Sequence, residues 1–395
     1  MREDASVGTT GNAADTGRPL IALCSADQAP DPAILQSRGG FTWFYVDLVD
    51  GRGGGATVIW SWGLPFLPGY ASAARGGRPQ LPIERPSVNV VVYGGGRERF
   101  YLLSELSPDQ CHWSSDGRSW RLGDCVFSWT DTPGADGEAP TRIVEGFLDL
   151  PLPTGGRVTG RLRLAGALRR ESLAPTGGQP DHPCTHEWAP MLAASRGCLE
   201  LSTPDGTIGV KGRGYHDRNS ASQPLQALGI QSWWWGRLAL AGRDLIFYRL
   251  IPAQPGATPR DLVIEVAEDG RSRVHEDAGL EFGRLHRSAW GLRWPSSATF
   301  ADPDGRPVRI EVSAVPDKGP FYQRYLLHGH CDGEDGYGIG ESLVPDRVDT
   351  DLLRPLVRMR VHKTIGPNSM WLPLFSGDSG GRWARLLGRA GPARA

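Results

Sequence analysis

Hydrophobic positions along this chain recur mostly with period two, in short runs. Apolar or aromatic residues alternate with polar ones over 42–49, 56–62, 87–93, 98–106, 120–122, 125–129, 142–150 and 156–164. That is the pattern of strands, whose successive side chains point to opposite faces. Turn signals such as Asp50-Gly51, Asp116-Gly117 and Gly94-Gly95-Gly96 separate most of them. Residues 197–211 read as strand–turn–strand, with extended runs at 198–202 and 207–211. A second series restarts after Asn219, over 233–240, 243–252, 261–267, 291–295, 298–300, 308–314, 321–329 and 336–343. Only 351–361 has helical spacing, through Leu352, Leu353, Leu356 and Val357, and Pro355 is comfortable there only in a first turn. Short strands at this spacing predict an all-β chain of two successive antiparallel barrels or sandwiches, and a barrel leaves no open edge. The expected units are 38–224 and 225–372, meeting near 220–232. They are flanked by a disordered polar tail, 1–37, carrying a small apolar patch at 19–23, and by a flexible Gly/Arg-rich tail, 373–395.

Composition narrows the function classes. Lys and Arg together number 43 against 44 Asp and Glu, a net charge of −1, so there is no basic footprint for nucleic acid. The cations are 40 Arg and 3 Lys, a bias read as genomic and not as recognition. No stretch approaches the ~20 apolar residues of a membrane helix, and the N-terminus lacks an apolar signal region, so a cytoplasmic protein is expected, with peripheral membrane association left open. The six cysteines, at 24, 111, 125, 184, 198 and 331, show no metal-binding spacing. Cys111 and Cys125 flank a hairpin that a disulfide could span, although reduced thiols suit a cytoplasm better. Fourteen Trp in a β-rich chain without charge bias suggest walls for an apolar or conjugated ligand, with plain core packing as the competing use.

The candidate chemistry is concentrated in Gly214-Tyr215-His216-Asp217-Arg218-Asn219. On an extended chain Tyr215 and Asp217 share one face, while His216 points the other way and reads as structural. Upstream, His186-Glu187-Trp188 repeats the spacing, so His186 and Trp188 also share a face. The four together suggest one cavity lined by a phenol, a carboxyl, an imidazole and an indole. A buried Tyr–Asp hydrogen bond that pins a strand end is the structural alternative. The run Trp233-Trp234-Trp235 either lines a mouth between barrels or, as alternation requires, divides between core and surface. Trp233, Trp235, Arg218 and Asn219 are the substrate-binding candidates.

These residues resemble the hallmark of the carotenoid 1,2-hydratase (hydroxyneurosporene synthase) family, Gly-Tyr-His-Asp-His-Asn-Trp-Gly with a His-x-Trp upstream. Matching stretches include 40–47, Trp233-Trp234-Trp235-Gly236-Arg237, Glu341-Ser342-Leu343 and Asp346-Arg347, so the resemblance spans roughly 38–372. The chain departs from the hallmark at Arg218, where His is usual, and at Ser220-Ala221, where Trp-Gly is usual. The resemblance implies two lipocalin-like barrels, an architecture similar to kievitone hydratase and to fungal lipocalin-like Diels–Alderases. It also implies hydration of a terminal isoprenoid double bond by Asp217, Tyr215, His186 and Trp188, with neither metal nor organic cofactor. In that scheme a carboxyl kept protonated by burial supplies the proton. The partner expected is a hydrophobic polyene or isoprenoid. Two other readings fit the same cavity: a cyclase or pericyclase that folds a polyene, and a noncatalytic carrier of an apolar ligand.

Overall fold

The structure is a computed structural model that describes residues 20–135, 138–169, 186–380 and 382. Most described elements are strands, and they form two large curled, mainly antiparallel sheets of fourteen and nine strands plus a separate two-stranded hairpin. In the first sheet Gly206–Ala221 lies between Phe41–Val49 and His186–Thr203. In the second, Ile230–Leu240 lies between Arg243–Pro252 and Glu334–Leu343. The chain passes from one sheet to the other between Ala221 and Ile230.

Burial patterns explain how the sheets are arranged. Thr141–Pro151 and Arg157–Ala167 alternate between buried and accessible positions, as strands with one wet face do. Phe41–Val49 is buried at all nine positions. Its Phe44, Val46 and Leu48 fill the interior of the first curled sheet, while Phe41, Trp43, Tyr45 and Val49 fill a second core. That second core is shared, because Trp233, Trp235, Ile246, Tyr248 and Ile339 of the second sheet belong to it as well. The second sheet has its own interior around Trp234, Phe247 and Tyr325. The molecule therefore has three apolar layers, and the middle one is walled by both sheets.

Several expectations are revised. The hairpin read at 198–211 is the turn of two much longer strands, His186–Thr203 and Gly206–Ala221. Glycines at 209, 212 and 214 mute the strand signal, but one has a packing reason: a Cβ on Gly212 would lie 2.0 Å from the Val49 carbonyl oxygen. The described part of the expected N-terminal tail is ordered. Ile21–Leu23 pairs in parallel with His186–Trp188, covering an edge that Arg157–Ala167 does not reach, and Pro32–Gln36 forms a 3-10 turn. Residues 1–19 lie outside the described part. The C-terminal segment returns to the first sheet, with Val361–Lys363 and Gly377–Asp378 both pairing with Arg97–Glu105. The α-helices described are Arg354–Arg358, with Pro355 in its first turn, and Tyr70–Arg75, which period-two reading passes over. Cys111 and Cys125 are free thiols.

Candidate functional site

The register of three neighbouring strands builds the site. Asp217 stands opposite Tyr45 on one side and Pro190 on the other, and Asn219 stands between Trp43 and Trp188. Residues directly opposite in an antiparallel pair share a face, so Tyr215, Asp217 and Asn219 join His186 and Trp188 on the side of the shared core. Two bulges interrupt the long strand between Pro190 and Ser195. A proline and the positive φ of Ala194, 49°, mark this stretch as one that leaves the ladder. The freed amide of Ala194 donates to Asp244 Oδ2 of the second sheet at 2.8 Å, so the bulge is tied across the interface.

Asp217 is the hub. Its Oδ2 accepts from Trp188 Nε1 at 2.8 Å and from the Tyr215 hydroxyl at 2.9 Å, and its Oδ1 accepts from Asn219 Nδ2 at 2.8 Å. Asn219 Oδ1 lies 2.9 Å from His186 Nε2. Because the amide oxygen can only accept, His186 carries its proton on Nε2, and its buried Nδ1 lone pair has no partner among the described residues. Burial pushes the Asp217 carboxyl up to about 8, against the lowering effect of the Trp188 and Tyr215 hydrogen bonds and with help from the charges of Glu341 and Asp47. Burial pushes His186 the opposite way, down to about 4. Near neutrality the pair is a protonated carboxyl and a neutral imidazole. The Tyr215 phenol, buried beside a carboxyl, is held well above its ordinary value and stays protonated.

This hub opens on a cavity of about 340 Å³ in the shared core. Aromatic rings dominate its wall, including Trp43, Trp188, Trp233, Trp235, Tyr45 and Tyr248. A second polar group faces the first across it. Glu341 accepts from Trp233 Nε1 at 3.2 Å and from the Tyr322 hydroxyl at 3.0 Å, and pairs with Arg324 at 3.2 Å. Arg324 in turn donates to the Tyr45 hydroxyl at 2.9 Å, joining the two walls. Deeper still, Arg237 is fully buried and pairs with Asp47 of the first sheet and Asp244 of the second. Among the described residues no three His, Cys, Asp or Glu side chains come together as a metal site.

His186, Trp188, Asp217, Asn219, Trp233 and Trp235 all line the cavity, and Tyr215 reaches it through Asp217. Two neighbours of the motif do not. His216 donates from Nδ1 to the Tyr45 carbonyl oxygen at 3.0 Å and packs among Phe44, Phe127 and Trp129 in the first sheet's interior. Arg218 also points away, bonding Glu187 at 3.0 Å and Ser220 at 2.8 Å. Its expected part in substrate binding is therefore corrected: alternation puts 218 on the face opposite 217 and 219. Trp234 likewise packs with Phe247 and Phe282, away from the cavity. Sequence reading missed Tyr45, Arg324, Tyr322 and Tyr248 as site residues. Period two puts Tyr45 in line with Trp43 and Arg324 with Tyr322, and the matching stretch 40–47 contains Tyr45, but the pairing of Glu341 with Trp235 appears only in the register of the two strands.

A family model described as carotenoid hydratase CrtC matches residues 58–369. The acyclic carotenoid 1,2-hydratase of Cereibacter sphaeroides is 31% identical over 312 residues, covering 77% of this chain and 97% of that protein. The acyclic carotenoid 1,2-hydratase of Thiocapsa roseopersicina is 27% identical over 333 residues, covering 83% and 74%. Among solved structures, an AttH candidate from Nitrosomonas europaea aligns with a TM-score of 0.51 at 15% identity, over 78% of this chain and 92% of that one. At that identity the likeness shows the fold alone.

Proposed function

The chain belongs to the CrtC carotenoid hydratase family, and from that membership we propose that it is a hydro-lyase that adds water to the terminal double bond of an acyclic carotenoid or similar polyene. One observation carries the reading: a carboxyl buried enough to keep its proton, in an aromatic-walled cavity beside a neutral imidazole with a free lone pair. The cavity lies near the low end of the ordinary range for ligand pockets, about 300–1,000 Å³. It suits one end of a long polyene better than the whole molecule.

The chemistry follows from those groups. The Asp217 proton passes to the less substituted carbon of the end double bond, whose π pair becomes the new C–H bond. The tertiary carbon is left electron-poor. Aromatic faces of Trp188, Trp233 and Trp235 stabilise such a cation by roughly 0.5–2 kcal/mol each, and the fixed Glu341 carboxylate adds an opposite charge across the cavity. A water lone pair then forms the C–O bond. The oxonium proton passes to His186 Nδ1, since the Nε2 side is occupied by Asn219. Proton exchange with solvent returns Asp217 and His186 to their starting forms. Tyr215, Trp188 and Asn219 hold the carboxyl in place, and no external oxidant or reductant is required.

The test is incubation with an acyclic carotenoid in water labelled with heavy oxygen. The expected product is a tertiary alcohol carrying the label. A cyclised product without label would overturn the hydratase reading in favour of a cyclase, and unchanged polyene that stays bound would favour a carrier.

A further inference from the structure

An apolar substrate of this kind is dissolved in lipid, so the way into the cavity matters as much as the cavity. Large apolar side chains exposed to solvent are unevenly distributed among the described residues. Of nine, seven fall in two segments, 285–290 and 352–375. Leu352 is 84% exposed, Met370 75% and Ile365 67%, and Leu285, Trp371 and Trp290 are exposed to a lesser degree. Single exposed apolar side chains mean little, whereas a cluster of them marks a contact surface.

Both segments also contribute to the cavity wall. Trp290 of the first segment and Leu356, Val357, Met359 and Phe375 of the second all line it. Arg347, just ahead of the second segment, donates from Nη2 to the Trp290 carbonyl oxygen of the first at 2.6 Å. The first segment is the isolated hairpin of Leu285–Arg287 and Arg293–Pro295, which belongs to neither large sheet. Its charge is one-sided: Arg284, Arg287 and Arg293 are exposed, and no Asp or Glu occurs from 283 to 301 in a chain whose overall charge is −1. Among the described residues none of these three arginines has an ion pair. Arg358, on the second segment, is exposed as well. No helix among the described residues is long and apolar enough to cross a membrane.

We propose that these two parts of the cavity wall, the hairpin 285–295 and the segment 352–375, dock on an anionic lipid bilayer and receive the polyene directly from it. Apolar side chains and Trp enter the interface, arginines pair with lipid phosphates, and the cavity mouth faces the acyl chains. The feature that selects a bilayer over a soluble protein partner is that two of the exposed apolar side chains, Trp290 and Phe375, also line the apolar cavity, with the exposed Arg284, Arg287 and Arg293 beside the first of them. This proposal rests on the polyene reading above, but its binding test does not depend on turnover.

The experiment is flotation of the full chain with vesicles of phosphatidylcholine alone and with a third of phosphatidylglycerol, followed by hydration assays on polyene held in the same vesicles or dispersed in detergent. Wild type is expected to float with the anionic vesicles and to lose that binding as salt is raised. The triple variant R284Q/R287Q/R293Q should lose roughly fivefold in partition per arginine, on the order of a hundredfold in all. L352S/M370S should weaken binding to both kinds of vesicle without changing the preference between them. Both variants should turn over detergent-dispersed polyene like wild type and fall behind on vesicle-borne polyene. Absence of wild-type flotation, or equal flotation of the triple variant, overturns the docking face, as would capture of a soluble protein through these segments with no lipid binding. Flotation without hydration in either assay would leave the docking face standing and remove the hydratase reading.

Discussion

At the scale of single residues, the opposite displacements of two neighbouring groups make the strongest predictions. Asp217 keeps its proton up to about 8 and His186 stays neutral down to about 4. Activity that needs the acid protonated and the base neutral should therefore follow a bell, falling above about pH 8 and below about pH 4, measured as kcat/KM against pH. A profile flat through pH 9 would remove Asp217 as the acid. Asp217→Asn keeps the size but has no proton to give, and hydration should fall by about 10²–10⁴-fold, the usual contribution of a positioned acid. The same substitution should change how stability depends on pH, with a sign fixed by linkage. The unfolded chain loses the Asp217 proton near the ordinary carboxyl value, and the folded chain holds it to about 8. Between those values the folded state binds more protons, so this group's contribution to stability declines as pH rises through the window. Asparagine does not titrate, so the urea midpoint of the variant should gain on that of wild type steadily as pH rises from 4 to 8. The i, i+2 spacing of 186/188 and 215/217 made this quartet legible from sequence. It could not reveal that Asn219 joins the two pairs, because that link depends on which strands are neighbours. Nor could it find Arg324 and Tyr45, whose roles arise only across the two sheets.

At the scale of the strand, alternation decides which members of one short motif face the cavity. His216 and Arg218 are as buried as Tyr215 and Asp217 but face the other way. Arg218 bridges to Glu187 of the adjacent strand and to Ser220 of its own. Arg218→Gln should therefore act on stability, by about 1–3 kcal/mol as charged hydrogen bonds are weakened, and leave kcat/KM unchanged. A large loss of kcat/KM in a variant with unchanged urea midpoint would return Arg218 to the site. Most strands were legible because their period is strict and their turns carry Gly or Asp. The two that hold the site were truncated in the sequence reading, since glycines close to neighbouring backbone and a bulge at Pro190–Ser195 both erase the alternation. Those irregularities have a use. The bulge sends the Ala194 amide to Asp244, so the strand that carries His186 and Trp188 is anchored to the opposite sheet.

At the scale of the molecule, the site lies in the core shared by the two sheets and depends on how they meet. Asp217, Trp188 and His186 come from one sheet, and Trp233, Trp235 and Glu341 from the other. Sequence periodicity announces two β units but not a common core, because a strand buried on both faces, such as Phe41–Val49, looks like any other apolar run. The charged clamp at the base of this core is Arg237, whose guanidinium donates from Nε to Asp47 Oδ1 at 3.1 Å and from Nη1 to Asp244 Oδ2 at 3.0 Å. Burial alone would disfavour every charge here; the two carboxylates outweigh it for Arg237 and hold its guanidinium well above the ordinary value. Removing the arginine leaves the buried Asp47 without its ion-pair partner and Asp244 with Arg213 alone, at 3.3 Å. Arg237→Met should therefore cost about 3–5 kcal/mol, read as a lowered urea midpoint. It should also reduce hydration, although Arg237 touches no reacting atom, because repulsion between Asp47 and Asp244 would part the walls that carry Asp217 and Glu341. The triple variant D47N/R237M/D244N removes that repulsion and should recover part of the stability. If Arg237→Met unfolds at the wild-type midpoint, the clamp does not hold the sheets together, and the link between their junction and the site fails with it.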